Sequence, residues 1–211
     1  MAELGKIERP TVESFQGKKK LYTVPNIYQL KEFPDDLKKL IDRYWQEVEE
    51  QLLRLESAGK ISKIFCENVY SENEKGLKIL RKTNEKAHEL VQKKLDEGAR
   101  LLSLEDRSLY AKYLDWRNCL AIVQTEEVFQ RVFDAFQEVF QKRIEHFKAF
   151  IENSLSEGEA GLLIISDEER VKIQFPSSIE VFLVTPPSYD DIIRWFRDNR
   201  EKLSLRPDQS S

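Results

Sequence analysis

After Asp35 the apolar residues Leu37, Ile41, Tyr44, Val48, Leu52 and Leu55 recur at steps of three and four, and charged residues fill most positions between them. That spacing lines one face of an amphipathic helix. Pro34-Asp35-Asp36 suits its N-terminus and Ala58-Gly59 its stop. The texture then changes to Ile61-Ser62-Lys63-Ile64-Phe65-Cys66, β-branched and aromatic, which predicts a strand ending near Glu67. Leu77, Leu80, Ala87, Val91 and Leu95 predict a second helix from about Asn73 to Glu97, its stripe interrupted at Asn84 and closed by Gly98. Ser103-Leu104-Glu105-Asp106 resembles a capping box and opens a third, through Leu109, Tyr113, Trp116, Leu120 and Val123. The fourth is the most regular: Phe129, Phe133, Phe136, Phe140, Ile144, Phe147, Ile151 and Leu155 keep helical spacing for about eight turns.

Past Gly158 the period shifts again. Leu162-Leu163-Ile164-Ile165 is a continuous apolar run of the kind buried on both faces of a sheet. Val171, Ile173 and Phe175 alternate with polar residues as in a short half-exposed strand, and Ile179 to Val184 reads as a further strand stopped by Pro186-Pro187. Ser188 then caps a last helix with Asp190 and Asp191 in its first turn, and Ile192, Ile193 and Phe196 make its inner face. Near the N-terminus, Leu21-Tyr22-Thr23-Val24 is strand-forming but meets Pro25, which predicts a short edge strand. The pattern gives a helix-rich α/β or α+β fold, a small mixed sheet of about four strands covered by long amphipathic helices. One domain is expected over 21–211, after an extended or partly disordered lead-in at 1–20.

Composition narrows the classes. With Gly and Pro at 7 each and 12 Phe, the 211-residue chain is neither collagen-like nor globally disordered. Its formal charge of -4 and the absence of a basic stripe with interleaved aromatics argue against nucleic acid, despite Lys18-Lys19-Lys20. No apolar run reaches the length of a membrane span, and the first residues lack the apolar core of a signal peptide, so a soluble cytoplasmic protein is expected. Cys66 and Cys119 are too few for a disulfide framework and are expected to be free thiols.

Complete catalytic motifs are missing. The glycines form no phosphate loop, no Gly-x-Ser-x-Gly elbow occurs, and His88 and His146 read as surface or boundary residues. The remaining chemistry lies at strand ends, where α/β folds gather ligands. Ser166 follows the buried strand with Asp167, Glu168 and Glu169 behind it. If Glu67 is a neighbour, Glu67, Asp167 and Glu168 offer oxygen ligands of the kind that suit Mg or Mn. The opposite reading is a solvated acidic turn.

Phe65-Cys66-Glu67, then Gly98-Ala99-Arg100-Leu101-Leu102-Ser103-Leu104-Glu105, then Arg143 leading into Leu155-x-x-Gly158-Glu159-x-Gly161-Leu162-Leu163-Ile164-Ile165 resemble a group of uncharacterised bacterial proteins. Their segment order is similar to that of the Tiki/TraB/erythromycin-esterase superfamily. The resemblance spans residues 60 to 185. It implies that Glu67 is a strand-end acid and Arg143 a helix arginine of a site that is metal-dependent in the Tiki-type proteases. The Gly-x-x-His position of that pattern falls near Ile165-Ser166-Asp167-Glu168, which has neither the glycine nor the histidine. The leading expectation is therefore a catalytically degenerate relative without a cofactor, acting through self-association as a homo-oligomer or through a partner. Its rival is a hydrolase with a carboxylate-held divalent ion. There Glu67, Asp167 and Glu168 would be ligands, Glu67 or Glu168 the general base, and Arg143 the stabiliser of a developing anion.

Overall fold

A computed structural model describes residues 17–199. Strand and helix alternate from the start: β1 (Lys19–Pro25), α1 (Asp35–Leu55), β2 (Ile61–Cys66), α2 (Asn73–Thr83), α3 (Glu85–Asp96), β3 (Arg100–Leu102), α4 (Arg107–Ile122), α5 (Glu126–Ser154), β4 (Ala160–Ile165), α6 (Asp167–Arg170), β5 (Ile179–Leu183) and α7 (Pro187–Asp198). The strands form one sheet in the order β3-β2-β4-β1-β5, and every pairing is parallel. The fold is thus α/β and helix-rich as the periodicity predicts, with five parallel strands in place of a mixed four.

Several sequence expectations are corrected. Asp106, not Ser103, caps α4, accepting from Leu109 N at 2.8 Å, and α7 begins at Pro187 behind Pro186, so Ser188 lies inside it and Ile193 is exposed. The β1 strand is central, flanked by β4 and β5, with Leu21, Tyr22 and Val24 fully buried. The edge reading rested on the missing N–H of Pro25, but Pro25 is the last residue of the strand, where the ladder is ending anyway. The second helix is two: Asn84 is extended at φ -149 and ψ 99, and its side chain accepts from Ala87 N at 3.2 Å, capping α3. At 171–175 no strand forms. That segment leaves α6 as a turn and loop, and only Ile173 of the three apolar residues is buried. The lead-in at 1–20 lies mostly outside the described residues. Of the basic run at its end, Lys18 pairs with Glu180, Lys19 donates to Glu152 O, and Lys19 and Lys20 are part of β1.

The sheet is covered on both sides. One face packs Tyr22, Ile64, Leu162 and Ile164 against α1, α2 and α3, with Ile192 of α7 in the same cluster. The other packs Leu21, Phe65, Leu163 and Ile165 against Ile144, Phe147 and Ile151 of α5. Burying each of the Leu, Ile and Phe side chains among these contributes about 1.5–3 kcal/mol, so the alternation of faces along β1 and β4 fixes the register. The chain crosses in one direction along the sheet through α1 and through α2–α3 on the first face. It returns through α4–α5 and through α6 on the second, as a uniform right-handed crossover requires. Consequently β1 and β2 send their chains over one face, while β4, between them, sends its chain over the other. Such reversals open crevices at the carboxyl ends of the strands.

None of the described helices is long and apolar enough to cross a membrane. Cys66 is buried and Cys119 half-buried, and both are free.

Candidate functional site

Four strand ends deliver side chains into one crevice. After β1 come Asn26 and Tyr28, after β2 Glu67 and Asn68, after β3 Glu105, and after β4 Ser166 and the α6 acids. Backbone bonds hold these ends together: Asn26 N donates to Ile165 O at 2.9 Å, Glu67 N to Ile164 O at 3.0 Å and Glu105 N to Val69 O at 3.1 Å. Asn68 takes φ 65, a left-handed turn that asparagine tolerates, and its N–H donates to Glu105 Oε1 at 2.9 Å.

Glu67 is buried and well supplied with donors. Asn26 Nδ2 at 2.6 Å and the Tyr28 hydroxyl at 3.1 Å donate to its Oε1, and Ser166 N donates to its Oε2 at 3.0 Å. The support extends further back, since Asn84 Nδ2 donates to Asn26 Oδ1 at 2.7 Å. The Tyr28 hydroxyl also accepts from Asn68 Nδ2 at 2.9 Å. Burial, then the neighbouring Glu67 carboxylate, pushes the Tyr28 phenol well above its ordinary range.

Arg143 comes from α5, and at 1% exposure it is the largest fully buried side chain among the described residues. Its guanidinium forks onto Glu105, with Nε 2.9 Å from Oε2 and Nη2 2.5 Å from Oε1, and its Nη1 donates to Glu169 Oε1 at 2.5 Å. The rings of Tyr113 and Phe147 lie 4.5 and 4.6 Å from its central carbon, so the cation is clamped between two acids and two aromatic faces. Burial alone would lower the pKa of this guanidinium. The bonds and charge of Glu105, then those of Glu169, outweigh that and hold it charged.

Glu169 differs from the other acids. It is 6% exposed, one oxygen is fixed by Arg143, and Oε2 has no hydrogen-bond partner among the described residues. Burial raises its pKa from 4.5 to about 7; Arg143 opposes the rise, while Glu67 and Glu105 add to it. Glu169 lines a cavity of about 450 Å³. Glu67, Asn68, Tyr28 and Ser166 are among its polar lining residues, and the contacting rings of Tyr113, Phe136 and Phe140 line it where α4 packs on the N-terminal half of α5. Arg117, Lys172 and the exposed Glu168 complete the lining.

The structure therefore brings Glu67 and Glu168 to the cavity and places Arg143 directly behind it, against Glu169. Asp167 is directed elsewhere: its carboxylate accepts from Arg170 Nε and from the Tyr189 hydroxyl, both at 2.7 Å. Among the described residues no three His, Cys, Asp or Glu side chains stand together as a metal-binding group. Ser166 contributes its backbone N–H to Glu67. His146 lies outside the site, half-buried with Nε2 3.1 Å from Leu104 O.

Sequence reasoning passed over Glu105 and Glu169 as site residues. Glu105 stands directly after the three-residue β3, a strand too short to show a pattern. Glu169 stands in the acidic run, one position beyond the residue chosen. Asn26, Tyr28 and Tyr113 carried no motif at all. In comparisons with models of known families, with curated proteins and with solved structures, nothing matches this chain.

Proposed function

We propose that the chain is a hydrolase of small molecules in which Glu169 moves the proton. The observation that carries this reading is a buried Glu169 among the residues lining the cavity, with one oxygen fixed by Arg143 and the other, Oε2, without a hydrogen-bond partner among the described residues. A carboxyl group with a pKa of about 7 exchanges its proton readily in both directions at neutral pH, which is what a general acid or base requires. Arg143 positions that carboxyl, and Glu105 in turn positions Arg143. Glu67 has its oxygens engaged by Asn26, Tyr28 and Ser166 and acts on the cavity electrostatically, its charge helping to raise Glu169. The acid and arginine implied by the resemblance, Glu67 and Arg143, are consistent with this arrangement. The proton-transfer form is preferred to one with Mg or Mn because Asp167 is engaged by Arg170 and Tyr189.

The test is turnover of chromogenic esters, glycosides and phosphodiesters by wild type and Glu169→Gln. Wild type is expected to hydrolyse one class with a pH limb near 7, and the variant to lose about 10²–10⁴-fold in kcat. Turnover of none of them, or an unchanged Glu169→Gln, overturns the reading.

Self-association has one specific observation in its favour. Ile122, Val128, Phe129 and Phe133 are exposed where α4 turns into α5, with Phe129 and Phe133 stacked at 5.9 Å. A homodimer through this tip is expected to become monomeric in light scattering when Ile122 and Phe129 are both changed to Ser. A monomeric wild type at tens of micromolar removes it.

A further inference from the structure

Part of the cavity lining comes from a pair of helices with little support from the sheet. Tyr113 and Arg117 belong to α4, and Phe136, Gln137 and Phe140 to α5. Tyr113 is the one buried residue of α4, and burial along α5 begins only at Val139. Neither hydrophobic cluster of the sheet includes a residue of 107–138, and α4 packs mainly on α5. Helices draw most of their stability from the packing of an apolar face, so an arm built of α4 and 126–138 calls for cover.

Its sequence indicates how much. Val128, Phe129, Val132, Phe133, Ala135 and Phe136 put apolar residues at four of any seven consecutive positions within 128–136. A helix facing a single other helix uses about two of seven. The polar face is complete in itself, since Arg131 pairs with Glu127 and Gln130 donates to Asp134 at 2.8 Å. Within one chain the stretch packs on α4, which leaves Val128, Phe129 and Phe133 exposed beside Ile122. The stripe carries no charge, so a second copy of the same face meets it without like-charge repulsion. The charges next to it, Glu126, Glu127 and Asp134 against Arg131, disfavour an anionic membrane surface.

We infer that the arms of two copies pack face to face as a four-helix bundle about a two-fold axis, and that this pairing holds in place the cavity lining supplied by α4 and α5. The inference rests on the self-association reading and adds its consequence for the site, a cavity completed in the dimer and loosened in the monomer.

Light scattering and hydrogen exchange on the full chain test the two parts separately. Wild type at tens of micromolar is expected to scatter as a dimer and Val128→Glu/Phe133→Glu as a monomer. A partner copy at about ten times Kd slows opening by about tenfold, so amides of 109–140, which span Tyr113 and Phe136, should exchange about tenfold faster in the variant. Those of β1 and β4 should be unchanged. If the variant loses protection in β1 and β4 as well, wild type diluted from tens to tenths of a micromolar gives the same comparison without a substitution. A monomeric wild type, or a dimer that survives both substitutions, overturns the inference together with the tip dimer. A dimer whose separation leaves exchange over 109–140 unchanged overturns the inference and leaves the tip dimer standing. Turnover by wild type and Glu169→Gln decides the hydrolase reading independently of all three results.

Discussion

Glu169 sets the pH response at the scale of single residues. Its carboxyl holds a proton more readily in the fold than in the unfolded chain, because burial raises its pKa from 4.5 to about 7. Between those values the folded state binds the extra proton. The contribution of this group to stability is therefore complete below pH 4.5 and declines as the pH rises through 7, by roughly 3 kcal/mol at about 1.4 kcal/mol for each pH unit. Glutamine resembles the protonated form. Glu169→Gln should accordingly match wild type near pH 5 and be more stable by up to about 3 kcal/mol at pH 8, in urea denaturation at both values. A variant less stable than wild type at pH 8 would show that the bond from Arg143 outweighs burial. The residues of this site were unequally legible. Glu67 and Arg143 follow from the end of a strand and from a resemblance, whereas Glu169 could not be told from Glu168. A single turn of helix has no period from which to read which acid faces inward, and the structure buries Glu169 and leaves Glu168 exposed.

Among the elements, the break between α2 and α3 does the most for the site. A continuous helix over 73–97 would satisfy the local periodicity, yet Asn84 interrupts it and uses both ends of its amide. Its Oδ1 caps α3, and its Nδ2 reaches Asn26 Oδ1 and Ile27 O at 2.7 and 3.0 Å. Asn26 then donates to Glu67. Losing a cap costs about 0.5–2 kcal/mol, and leaving Asn26 Oδ1 unsatisfied adds about 1–3 kcal/mol. Asn84→Ala should therefore destabilise the protein by about 2–4 kcal/mol in chemical denaturation, far more than an exposed helix position would. A loss under about 0.5 kcal/mol would mean that the amide bonds contribute little. The interruption of the apolar stripe at Asn84 is visible in the sequence. Its partners are not, because Asn26 lies 58 residues away on the other side of a crossover.

For the whole molecule, the class of fold was legible and the order of strands was not. Alternating helix and strand textures imply an α/β sheet, and the unbroken apolar run of β4 correctly implies a strand buried on both faces. Which strands lie side by side depends on crossovers that no local period encodes. Pro25 misled for this reason, since its missing donor is as harmless at the end of a central strand as on an edge. The crevice follows from that order: β4 lies between β1 and β2 and leaves on the opposite face, so carboxylates from distant parts of the chain share one cavity.

The position of β1 also bears on how the chain is made. Its two neighbours are β4 and β5, at 160–165 and 179–183. At roughly 5–20 residues per second, a ribosome releases the first described strand on the order of ten seconds before either partner exists. Until then its backbone donors and acceptors face water or chaperones. Contacts so far apart in sequence also make the closing step slow. The crevice at the strand ends, which needs β1 beside β4, is among the last features of the molecule to be completed.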